Sequence, residues 1–179
     1  SIPAATGTTT IGTQTTTEFG GGVYRNGFGT GDFRHQLLYT AAELTAGGLA
    51  PGNITSAGFT VTSAGSGTAN NYTIRLAHTA ATSLTSTFTT ATFTTCYVAT
   101  TYTAVSGLNT HTFSTPFNWD GTSNLLVEIC YNISSLGGTS TLAATTPGST
   151  SNINLLGTAG ACTATGGATT YANRPLIAF

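Results

Sequence analysis

Threonine fills, along almost the whole of this chain, positions that lysine, glutamate and glutamine hold in an ordinary soluble protein. That exchange limits the fold more than any other feature. Threonine is β-branched, so it suits the pleated surface of a strand, and its hydroxyl keeps an exposed face wettable. The straight-chain helix formers are nearly missing. There is no lysine or methionine, and the basic residues are Arg25, Arg34, Arg75 and Arg174. Glu18, Asp32, Glu43, Asp120 and Glu128 are the acids, so charged residues make up 5% of the chain against about 25% in a typical domain. The composition predicts an all-β protein. With 39% hydrophobic residues it also carries the apolar surface that disordered chains lack.

Short alternating runs bounded by Gly, Pro, Asn and Ser recur along the sequence. Residues 54–62 place Phe59 and Val61 on one face. Residues 72–78 place Tyr72, Ile74, Leu76 and His78 on one side and Thr73, Arg75 and Ala77 on the other. Further runs cover 88–98, 109–113, 125–131, 152–156 and 175–179, with a first strand at 8–13. Strand starts spaced by roughly 8–15 residues point to a sandwich or barrel. A single turn of helix is predicted within 40–48, stopped by Gly47 and Gly48. Residues 20–34 and 157–170 read as long loops, the first glycine-rich and the second built of small residues around Cys162. No domain boundary is visible, so residues 1–179 form one domain, with 1–7 as a candidate extended arm.

Four scattered arginines cannot build a basic face, which excludes nucleic acid and anionic lipid as partners. No run is long and apolar enough for a membrane span. The chain opens at Ser1 with neither Met nor a signal peptide and reads as a processed or trimmed form. Weak electrostatic repulsion between copies favours close packing of one subunit on another, so the chain itself is the first expected partner. Cys96, Cys130 and Cys162 match no zinc spacing, and an odd count in an extracellular chain implies one disulfide and one thiol left over. The expected pair is Cys130–Cys162, leaving Cys96.

Five stretches together carry a resemblance: HQLLYTAAEL (35–44), GNITSAGFTVTSAGSG (52–67), YTIRLAHT (72–79), FSTPFNWDGTSNLLVEICYN (113–132) and NRPLIAF (173–179). The chain resembles, from about residue 10 to its end, the Thr-rich jelly-roll modules of secreted Bacteroidetes surface proteins, which are related in style to cleaved-adhesin domains. The resemblance implies an antiparallel jelly-roll β-sandwich, export by the type IX secretion system and a role in adhesion at the cell surface. It implies no catalytic residues. Cys96 departs from the pattern.

The 20–34 segment is the best ligand candidate: Tyr24, Phe28 and Phe33 would stack on sugar rings while Arg25, Asp32 and Arg34 hydrogen-bond hydroxyls. Asp120, Asn118 and Asn124 offer a weak calcium set in one loop, although Asp120-Gly121 is first of all a turn signal. Glycoside hydrolysis would need two carboxylates across one bond, and nothing in the spacing brings Glu43 to Glu128. No G-x-S-x-G elbow exists, and His35, His78 and His111 lie in separate runs. Threonine spacing is too irregular for ice binding. The sequons at Asn53, Asn71 and Asn132 carry no assignment. No cofactor is expected. The resulting expectation is a non-enzymatic, extracellular, self-assembling subunit of a filament or surface layer; the alternative is a monomeric glycan-binding adhesin module.

Overall fold

The computed structural model describes residues 7–18, 23–24 and 29–179. In chain order the elements are β1 (Thr10–Ile11), β2 (Thr16–Glu18), β3 (Gly31–Tyr39), α1 (Ala41–Ala46), β4 (Gly52–Ser63), β5 (Thr68–Thr79) and β6 (Thr94–Thr103). There follow β7 (Gly107–Trp119), β8 (Asn124–Ile133), β9 (Thr141–Thr145), β10 (Asn152–Leu155), a 3-10 turn (Ala161–Thr163), β11 (Thr169–Tyr171), β12 (Arg174–Pro175) and β13 (Ile177–Ala178).

These strands form two sheets. One contains the ladder β2-β9-β4-β7 and the other the ladder β3-β8-β5-β6, all pairs antiparallel. That strand order, built from crossing connections between the sheets, is the jelly roll. The short strands β1, β12 and β13 complete the first sheet, and β10 and β11 extend the second beyond β3.

Alternation drives the packing. On β7, Asn109, His111 and Phe113 face in while Leu108, Thr110 and Thr112 face out. On β5, Tyr72, Ile74 and Leu76 are buried as the pattern predicts, but His78 lies near the strand end and is exposed. The main core between the sheets is aromatic and branched, with Phe33, Phe59, Tyr72, Trp119, Val127 and Ile129 among its members. A second, smaller cluster of Leu38, Leu84, Phe88, Leu126, Ile153 and Ala168 lies on the outer face of the β3–β8 sheet. Strand β8 is therefore buried on both faces, from Leu125 through Ile129 without interruption.

Several boundaries differ from expectation. The predicted loop 20–34 ends early, because Gly31 to Arg34 belong to β3, a central strand. Its polar residues alternate with Phe33, His35 and Leu37 but face a covered surface instead of solvent. The expected 88–98 strand begins later, at Thr94, and Phe88 instead plugs the outer cluster. The helical turn forms as expected, with a capping box between Thr40 and Glu43. The first strand is shorter than 8–13 and pairs with the chain's own last strand. Thr9 N–H donates to the Phe179 carbonyl at 2.7 Å, and Phe179 N–H donates to that of Thr9 at 2.8 Å. Ser1 to Ala5 and Thr6 of the candidate arm lie outside the described residues.

Two turns at one end of the sandwich meet backbone to backbone. A Cβ on Gly65 would overlap the Gly138 carbonyl, and one on Gly137 would overlap the backbone of Gly67. Only hydrogen fits there. Gly65→Ala should therefore lower the unfolding free energy by about 1–3 kcal/mol, read as a drop in the urea midpoint; Gly148→Ala, which meets open space, should not.

Candidate functional site

The outer face of the β3–β8–β5 sheet carries a row of polar residues fixed by strand register. Gln36 on β3 lies opposite Glu128 on β8, and Glu128 lies opposite Arg75 on β5. Direct cross-strand partners share a face, so all three side chains converge. Glu128 has no exposed surface. Its Oε2 accepts from Arg34 Nε at 2.9 Å, from Arg34 Nη2 at 2.6 Å and from Gln36 Nε2 at 2.9 Å. Its Oε1 accepts from Arg75 Nη2. Two guanidinium groups thus meet one carboxylate, and the cluster carries a net charge of +1.

Two segments strap this row. The first, 84–93, is held by a reciprocal pair: Thr89 N–H donates to Gln36 Oε1 at 2.8 Å, and Gln36 Nε2 donates to the Thr89 carbonyl at 2.9 Å. Phe88 and Phe93 from this segment lie against Arg34 and Arg75, at 4.2 Å and 4.9 Å from ring centre to guanidinium carbon. The second, 157–170, is tied down by the Cys130–Cys162 disulfide, the expected pair. Gly160 N–H donates to Asp32 Oδ2 at 2.8 Å, and Arg34 Nη1 donates to the Ala164 carbonyl. The straps join each other where Phe88 N–H donates to the Thr165 carbonyl and Ala168 N–H to that of Ser86. A structural disulfide belongs to an oxidising compartment. Cys96 is buried outside any disulfide, and burial pushes its thiol up to about 11.

The expected aromatic ligand loop is not what the described residues form. Tyr24 and Phe33 are both buried in the core. Tyr24 stacks on Tyr72 and Tyr102, and Phe33 stacks on Tyr131, because large rings gain more from the interior than from solvent. Asp32 and Arg34 anchor the second strap, as described above. Arg25 and Phe28 lie outside the described residues.

The calcium set does not converge either. Asp120 Oδ1 accepts from Thr122 and Ser123 N–H at 2.8 and 2.7 Å, and Oδ2 accepts from the Ser123 hydroxyl at 2.6 Å. These bonds, led by those of Ser123, hold its carboxyl well below the usual range. Asn118 bonds Asn53, while Asn124 bonds Ala41 N–H and the Ala81 carbonyl. Among the described residues no group of three or more His, Cys, Asp or Glu is placed to hold a metal. Glu43 and Glu128 each have their own arginine, Arg174 for the first at 2.8 Å and Arg34 for the second.

Of the histidines, His78 sits exposed between two open surface depressions, accepting from Asp120 N–H at 3.3 Å. His35 and His111 are buried among the tyrosines, and Tyr24 Oη lies 2.6 Å from His111 Nε2. His111 Nδ1 has no hydrogen-bond partner among the described residues. Burial pushes this imidazole down to about 4, so it is neutral at pH 7.

The class these features define is a jelly-roll β-sandwich with a disulfide-locked, strapped outer face. Comparison with protein-family models, with curated proteins and with solved structures finds no match to this chain.

The ionic row and the buried imidazole each lead to an experiment. Glu128→Gln leaves Arg34 as a buried, uncompensated charge and should cost about 3–5 kcal/mol of stability in urea unfolding. For His111, the unfolded imidazole titrates near 6.5 and the folded one near 4. The unfolded state therefore takes up protons first as pH falls below 6.5. Stability is lost progressively between about pH 6.5 and 4 and levels off below that. Between pH 7 and 4.5, wild type should lose about 2 kcal/mol more than His111→Gln, measured as the difference in urea unfolding free energies.

Proposed function

We propose that this protein is a non-enzymatic structural subunit that assembles with copies of itself into an extracellular filament or surface layer. The observation that carries the reading is where the charge goes. Glu18, Arg34, Glu128 and Arg174 are buried, and Glu43 is bound to Arg174. The outer face of the other sheet carries no charge in the rows that register defines, with Thr10 and Thr110 exposed and the small Ala178 and Gly58 between them buried. Register puts Thr10, Ala178, Gly58 and Thr110 in one row across it, flanked by Ser56 with Thr112 and Thr60 with Leu108. Thr62 and Thr141 add a hydroxyl pair at 2.8 Å. Packing such a face against another copy desolvates no ion and meets no like charge. Of the larger exposed apolar side chains, Leu108 lies on this face and Val105 in the β6–β7 turn beside it.

Strand β1 is already paired on its own β13, so strand addition to a neighbour's sheet edge falls in this reading to residues 1–7 and not to β1. The glycan-binding alternative loses the buried Tyr24 and Phe33 as stacking rings and needs a different surface. Negative-stain electron microscopy and light scattering of the purified protein test the assembly. Regular polymers are expected, and removal of residues 1–7 should abolish them while leaving the thermal transition in place. A monodisperse monomer at every concentration and redox condition would end the filament reading.

A further inference from the structure

We propose that Arg75 is the centre of a binding site for a carboxylated sugar, a hexuronate unit of an acidic polysaccharide. Arg75 is the one arginine among the described residues with substantial exposure, 34% against 11% for Arg34 and 1% for Arg174. One Nη bonds Glu128, and its guanidinium makes no other hydrogen bond among the described residues. The remaining N–H groups are donors without a protein acceptor among the described residues.

Three observations say what these donors suit. The first is charge. Arg34 and Arg75 share a single buried carboxylate, so the cluster is one negative charge short of neutral, and a bound anion completes it. The second is rigidity. Glu128 is held by Arg34 and Gln36 from β3, and the Phe93 ring flanks the guanidinium, so Arg75 waits in position and little side-chain entropy is lost on binding. The third is the rim. Thr95 lies directly opposite on β6, Thr73 shares the same face of β5, and Val98 lies opposite Thr73. A single planar guanidinium fits a carboxylate through paired donors, whereas phosphate or sulfate sites gather several cations. Hydroxyls and an aromatic ring around it suit the hydroxyls and C–H face of a sugar. The site is independent of polymer formation and lies on the opposite sheet from the neutral face.

The test is titration of the purified protein with an oligogalacturonate, and in parallel with its methyl ester, which keeps the rings and hydroxyls and loses the charge. Wild type should bind the acid at least about tenfold more tightly than the ester, the worth of one charge-assisted pair. Raising the salt should weaken it. Arg75→Gln, which retains a donor toward Glu128, should lose at least the same factor while keeping its fold by circular dichroism. Phe93→Ala, which leaves the ionic cluster in place, serves as the second variant and should also weaken the acid. Equal binding of acid and ester, no binding of either, or full binding by Arg75→Gln would overturn the proposal. So would loss of self-association in Arg75→Gln with no effect of the sugar acid, which would give the guanidinium to a carboxylate of a second copy.

Discussion

A carboxylate with no access to water has to be neutralised where it stands, and Glu128 imposes that condition on the centre of this fold. Its partners come from both neighbouring strands, Arg34 and Gln36 from β3 and Arg75 from β5. A slip of one residue in either pairing would turn Glu128, or its partners, toward the aromatic interior. The ionic row therefore holds the register of three central strands against the alternatives that a run of threonines would otherwise tolerate. It also explains why the outer face is covered. An exposed row of this kind would contribute little, while the straps remove it from solvent and give Gln36 its backbone partners at Thr89.

The two straps hold by different means. The 84–93 segment brings Leu84 and Phe88 and buries them on Leu38, Leu126 and Ile153. The 157–170 segment is made of small residues and buries little beyond Ala161 and Ala168, so apolar burial alone would hold it weakly. The Cys130–Cys162 bond closes a separation of 32 residues and removes loop entropy from the unfolded chain, on the order of 3–4 kcal/mol. Inside the sandwich the same strand β8 presents Ile129 and Tyr131 to the rings of the core. One strand thus serves two cores, polar on one side and aromatic on the other.

This arrangement also shapes the exterior. Because most of the described charges are drawn into the Glu128 cluster and the Glu43–Arg174 pair, the surface is left largely to threonine, serine and glycine, with Asp120 exposed in its own turn. The neutral, threonine-bearing sheet face is the one that the proposed assembly packs on another copy. Arg75, partly in the buried cluster and partly in solvent, is the exposed arginine among the described residues and the centre of the proposed anion site.

The sequence by itself pointed to the all-β class, the alternating strands β4, β5 and β7, the apolar run that forms β8 and the helical turn α1, whereas the expected Cys130–Cys162 pair had no local signal behind it and is joined by the fold. Those elements follow from period-two burial, from β-branched residues and from turn chemistry, which act over a few neighbours. It did not disclose β3. In residues 31–36 the polar Asp32, Arg34 and Gln36 alternate with buried residues, and alternation cannot say whether a polar side faces water or a lid. The same ambiguity placed Tyr24 and Phe33 on a ligand loop when they belong to the core. The site around Glu128 was illegible for a further reason. Its members are Arg34, Gln36, Arg75 and Glu128, up to 94 positions apart, and only register and the straps bring them together. Tertiary structure decided which polar residues were buried, because burial of a charge depends on partners that no local window contains.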